Sequence, residues 1–251
     1  MAATVKATIE VGTADLRAAL AAVRPHRSKV KTGDDLSERN VRLTFGGGTL
    51  FVTASNGTTC ALAKVEIESD TRGALGKLEP DDAPLLVDLD GDDVALILQT
   101  FKLGGNEDDT TQLVTSTISA DPKNRYMSLL AVGGPKPGRA VTLRLGEPAD
   151  MPDVIGIVGK ALANRGADQM SKPLTSDPKM LALFNAAGRA YETLVEIRAT
   201  GTKESSGFLV SAGPDFWGTI ESHHDGDGRK KRDAWYQAML DLIPTTKLKA
   251  V

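Results

Sequence analysis

The chain has 251 residues, of which 41% are hydrophobic and 25% charged, and it carries a net charge of −3. That length can bury a sizeable core without staples. No apolar run approaches the roughly 20 residues that span a bilayer, and no membrane association is expected. The mild acidity argues against a protein that coats nucleic acid indiscriminately, while leaving room for a local basic surface. Cys60 is the only cysteine, so an intrachain disulfide is excluded and a cytoplasmic location is expected. Residues 1–10 lack the continuous apolar core of a signal peptide.

Residues 4–11 alternate like a half-buried strand. Thr13 is then a candidate cap for a helix with Leu16, Leu20 and Val23 on one side, stopped by Pro25. Three strands follow, 40–45, 50–54 and 59–67. They are separated by Gly46-Gly47-Gly48 and Asn56-Gly57, residues that tolerate the positive φ of tight hairpins. After a loop rich in Asp, Gly and Pro comes a short strand, 84–88, and a helix over 93–101 with Asp92 as its cap. Strands at 112–118, 126–132 and 141–145 complete the first half. It reads as strand, helix, three strands, written twice.

The second half is less regular. It offers a helix from Pro152 to about Asn164 and a second from Pro178 to about Ala190, the latter with Asp177 before a proline at the first helical position. Strands are expected at 194–199, 207–211 and 216–221. Few helices and many antiparallel strands indicate an α+β class, and the repeated phrase indicates a tandem architecture. The expected division is 1–147, 148–222 and a tail over 223–251.

Two stretches carry a resemblance. Asn40-Val41-Arg42-Leu43-Thr44-Phe45 through Thr53-Ala54-Ser55-Asn56-Gly57 is similar to the paired strands and turn of the bacterial DNA polymerase III beta sliding clamps. Ser206-Gly207-Phe208-Leu209-Val210-Ser211 through Phe216-Trp217-Gly218-Thr219-Ile220 resembles the final hairpin of that family. The resemblance implies clamp-fold domains with two helices each, assembling as a ring with helices inside and sheet outside. It also implies a non-catalytic processivity factor that encircles double-stranded DNA and works with a DNA polymerase and a clamp loader. The family has three domains and this chain has room for two, so three copies, a homotrimer, would supply the six domains of a ring. The family's Met-Pro-x-Arg ending is replaced here by Glu221-Ser222-His223-His224 and a further tail.

Encirclement needs positive charge facing phosphates and no base readout. Arg17 and Arg24, seven apart on the first helix, share a stripe; Arg27, Lys29 and Lys31 extend it. Lys102, Lys160, Arg165, Lys179 and Arg189 are the candidates on the remaining helices. Each has a plain alternative as part of a solvated helix face. Leu209, Trp217 and Ile220 mark the expected partner-binding region.

Within the tail, Arg229-Lys230-Lys231-Arg232 precede an amphipathic stretch with Trp235, Met239, Leu242 and Ile243. Its Gln237-Ala238-Met239-Leu240-Asp241-Leu242-Ile243 looks like the short peptides that bind beta clamps, although docking on its own domain explains it as well. His223-His224 has no second ligand pair of recognised spacing, and neither a metal nor a cofactor is expected. No phosphate loop or nucleophile elbow is present, so no enzyme is expected. The alternatives are a strand-rich viral structural or adaptor protein and a metal-dependent hydrolase or nuclease.

Overall fold

The structure is a computed structural model, and it describes residues 6–28, 40–46, 48–72, 84–103, 113–119, 125–132, 138–164, 176–201 and 206–221. The tail over 223–251, with its clamp-peptide-like stretch, lies outside them, as do Lys29, Lys31, Arg165, His223 and His224.

The first half contains β1 (Lys6–Gly12), α1 (Thr13–Val23) and a 3-10 turn (Arg24–His26), then β2 (Val41–Gly46), β3 (Thr49–Ser55) and β4 (Thr59–Arg72). The phrase repeats with β5 (Leu85–Leu89), α2 (Gly91–Thr100), β6 (Leu113–Ser119), β7 (Tyr126–Val132) and β8 (Ala140–Arg144). The second half supplies α3 (Val154–Ala163), α4 (Pro178–Leu183), α5 (Asn185–Ala190), β9 (Val195–Gly201), β10 (Ser206–Ala212) and β11 (Phe216–Glu221). The expected α+β class is the observed one, and all pairings are antiparallel.

The two β-α-β-β-β units exchange their opening strands, giving the order β5-β2-β3-β4-β1-β6-β7-β8. β4 joins everything. Its first residues pair with β11, from Thr59↔Ile220 to Ala63↔Phe216, and its last with β1, from Ile67↔Val11 to Arg72↔Ala7. A register shift between Glu10 and Val11 accommodates the change. The apolar alternation of β4 stops at Ile67. The polar residues Ser69 to Arg72 read as loop in the sequence, and pairing with β1 is what makes them strand.

Alternation along the sheet sends side chains to two covered faces. Leu50, Val52, Ala61, Ala63 and Phe216 enter the main core with Leu16, Leu20 and Val23 of α1, Val94 and Ile97 of α2, and Phe184 and Ala187 around α5. Cys60 and Leu62, from the intervening positions of β4, pack instead on Val154 and Val158 of α3, with Phe51 and Trp217 beside them. Thus α1, α2 and α5 cover one face and α3 the other. No helix among the described residues is long and apolar enough to cross a membrane.

Helix ends differ from expectation in three places. Asp90, not Asp92, caps α2, its carboxylate accepting the amides of Asp92 and Asp93 at 2.8 Å each. Thr13 is the first helical residue of α1 rather than its cap, and its buried hydroxyl has no partner among the described residues. The expected helix over 178–190 breaks at Phe184, whose ring lies between His26 and Phe216, with centroids 4.4 and 6.2 Å away.

Gly218 lies where β11, β4 and this ring converge. A Cβ there would overlap the Phe184 ring and stand 2.8 Å from the Cys60 carbonyl oxygen. Gly218→Ala is therefore expected to cost about 1–3 kcal/mol in a denaturant melt. A melt matching the parent would show that the joint relaxes freely.

Candidate functional site

The basic candidates separate into three environments. Arg17 is half-buried, and its guanidinium donates to the Leu98 carbonyl at the end of α2. Arg139 donates to the neighbouring carbonyls of Thr100 (3.4 Å) and Lys102 (2.7 Å). The last turn of α2 has no basic residue of its own, so these two cations, brought from α1 and from before β8, answer its C-terminal dipole. Burial, and after it the charge of Arg139, lowers the pKa of Arg17. No local spacing in the sequence signals this pairing, which spans 81 positions.

Arg27 and Lys179 are brought together. They line a cleft of about 300 Å³ with Pro25, Ser28, Asn56, Met180 and Leu183, where the turn after α1 faces α4. Arg27 crosses the N-terminal end of α2 at Gly91, occupying the space a Cβ would need there. Lys102 and Arg189 are exposed at the ends of α2 and α5, and Arg24 is half-buried at the end of α1. All belong to the face covered by α1, α2 and α5. The same elements carry Asp15, Asp90, Asp92, Asp93 and Asp177, with Asp90 and Asp177 used in capping, so the face is mixed rather than uniformly basic.

Lys160 belongs elsewhere. It is exposed on α3, across the sheet from Arg27 and Lys179, and therefore cannot share their surface. It lines a second cavity, of about 460 Å³, formed by Ile157, Ala161 and Asn164 of α3, the Gly57-Thr58 turn, Cys60, and the ends of β9, β10 and β11. The Thr200 hydroxyl donates to the Ala161 carbonyl at 2.8 Å and fixes α3 on this wall. Sequence reasoning missed the cavity. The available signal was that α3 carries more apolar residues than one face buries, and Ile155 and Ile157 are each 39% exposed.

The expected partner region does not form as one pocket. Trp217 and Ile220 are three apart on a strand and so point to opposite faces. Ile220 is buried in the main core, whereas Trp217 packs under α3. Leu209, opposite Thr219, is buried on the α3 side. Of the three, Ile220 alone lines the cavity.

His26 is fully buried. Its Nδ1 lies 3.1 Å from the Thr59 hydroxyl and its Nε2 has no partner among the described residues. Burial depresses its pKa to about 3, so it is a neutral packing residue in the helix-covered core. Among the described residues no cluster of three His, Cys, Asp or Glu is placed to hold a metal ion.

Strand edges are the remaining feature. Among the described residues β8 pairs only with β7, β9 only with β10 and β5 only with β2. Leu194, just before β9, is 90% exposed, and Ile197 within it is 49% exposed.

No protein-family model matches the sequence, and no curated protein matches it. Solved structures do. A DNA polymerase sliding clamp from Pseudomonas aeruginosa aligns with a TM-score of 0.56 at 11% identity, covering 86% of this chain and 66% of that one. The beta sliding clamp of C. crescentus aligns at 0.51 and 13%, covering 88% and 65%. The sliding clamp of Bacillus subtilis aligns at 0.50 and 15%, covering 86% and 64%. The chain has the sliding-clamp fold and spans about two thirds of the length of these structures.

Proposed function

We propose that the chain is a sliding-clamp subunit: copies join into a ring that encircles duplex DNA without sequence preference and tethers a DNA polymerase. The observation that carries this reading is the clamp fold with strands paired on one side only, β8 and β9 among them, at different places on the chain. A heterologous contact between two different edges closes into a ring when the rotation allows it, and closure removes edges that otherwise invite aggregation. Three copies are the expected number, opened and placed by a clamp loader. No catalytic role is proposed, and a cytoplasmic location belongs to the same proposal.

On the face covered by α1, α2 and α5, Arg24, Arg27, Lys102, Lys179 and Arg189 supply the contacts to phosphate. Interspersed carboxylates keep those contacts weak, as sliding requires. Lys160, on the other side of the sheet, has no part in them. Partner peptides are assigned to the cavity under α3, which sits where the two halves of the chain meet and is mostly apolar with a few polar groups.

Retention on DNA tests the proposal. The protein, incubated at high concentration with nicked circular plasmid and passed over a sizing column in moderate salt, is expected to stay on circles and to be lost once the plasmid is linearised. Salt weakens phosphate contacts but not a closed ring. Equal release from both forms, with a monomer by light scattering, would overturn the clamp. Charge reversal at Arg27, Lys179 and Arg189 together is expected to flatten the salt dependence of direct binding, by about 0.9 in the log–log slope for each phosphate no longer neutralised.

A further inference from the structure

We infer that the cavity under α3 is occupied by the chain's own C-terminal segment, residues 233–243, which makes the clamp's partner site self-occluding. The cavity measures about 460 Å³, and its walls include Cys60, Ile157, Ala161 and Phe208. Two charged residues, Lys160 and Glu221, are among the lining residues. Ile157 remains 39% exposed there, an apolar surface without a partner among the described residues.

What selects the occupant is where the chain goes next. Glu221 is both a lining residue and the last residue of β11, so the polypeptide leaves the sheet at the rim of the cavity. The 30 residues that follow, 222 to 251, contain Trp235, Met239, Leu242 and Ile243 at helical positions i, i+4, i+7 and i+8, one apolar stripe with no other assigned use. The intervening residues 222–234 reach about 45 Å when extended, ample for a segment tethered at the rim. A tether of this length holds its end at an effective concentration of order millimolar. Even a weak intrinsic affinity therefore leaves the site mostly filled, and a partner peptide in solution has to displace the tail.

Docking of the tail stands on the cavity and the sequence alone; its regulatory meaning rests on the proposed clamp function. Cys60, the only cysteine, lines the cavity and provides a trap. In the full chain, Met239→Cys and Leu242→Cys are each expected to crosslink to Cys60 under mild oxidation, seen as a gel shift reversed by reductant. Thr246→Cys, beyond the stripe, is expected to stay reduced. If neither variant crosslinks faster than Thr246→Cys, the inference is overturned.

Independently, a labelled peptide of residues 233–245 is expected to bind the full chain carrying Met239→Asp and Ile243→Asp at least tenfold more tightly than the parent, because the cavity is then vacant. Equal affinity for both would also overturn it. The two proposals fail separately: a monomer that crosslinks loses the ring and keeps the docked tail, whereas a ring that does not crosslink loses only the tail.

Discussion

Between pH 7 and pH 4 the protein is expected to lose about 3 kcal/mol of folding stability through His26 alone. The ring is fully buried against Phe184 and Phe216, and burial lowers its pKa from 6.5 to about 3. The unfolded chain therefore takes up a proton as the pH falls through 6.5, while the folded chain does not until about 3. Stability contributed by the neutral ring is complete above pH 6.5 and is lost progressively across that window. At pH 5 the loss is about 2 kcal/mol. No carboxylate partners the ring among the described residues, and a proton on Nε2 would have no acceptor there.

Two acids act in the opposite sense. Burial raises the pKa of Asp15, helped by Asp215 and Glu66. Burial likewise raises that of Asp93, helped by Asp90 and Asp92. Both sites favour the folded state as the pH falls, so the parent's total profile is shallower than the His26 contribution. The difference between the parent and His26→Leu isolates it. The variant keeps an apolar side chain in the ring's pocket, and the Thr59 hydroxyl retains the Asn56 side-chain oxygen at 3.2 Å. Denaturant melts at pH 7, 5.5 and 4 are expected to show His26→Leu gaining on the parent by about 3 kcal/mol over the range. Parallel profiles would mean that the ring is hydrated and titrates normally.

The first half was legible because each of its units is dictated locally. Gly48 and Gly57, at φ 74° and 81°, make the two hairpin turns expected from Gly46-Gly47-Gly48 and Asn56-Gly57. The strands between them alternate cleanly. What was not legible is non-local. The exchange of β1 and β5, the use of Arg17 and Arg139 on the end of α2, and the pairing of β4 with β11 are settled between residues far apart in sequence. Lys160 illustrates the cost. Basic residues on a helix look alike until the sheet decides which side that helix covers, and α3 covers the side opposite α1, α2 and α5. For Trp217 and Ile220, by contrast, the strand period alone was enough to separate them.

The second large effect is expected from the ion pair that holds the connection between the halves. Arg42 on β2 and Asp88 on β5 meet in a bidentate contact, Nε to Oδ1 at 2.7 Å and Nη2 to Oδ2 at 2.9 Å, with side chains only 14% and 5% exposed. Both also hold the segment after β8: Asp88 accepts the Ala149 amide at 2.7 Å and Arg42 donates to the Ala149 carbonyl. Beside it, Arg125 reaches the Leu86 carbonyl of β5 at 3.5 Å.

Removing one partner of such a pair leaves a desolvated charge, at a cost of about 3–5 kcal/mol, whereas removing both costs far less. Asp88→Ala is expected to destabilise by that amount, and to lower Tm by about 10 °C for a chain of this size. The double variant Arg42→Met, Asp88→Leu is expected to recover most of it, because only the Ala149 contacts are then missing. If both variants melt alike, the Ala149 anchor rather than the ion pair is what matters.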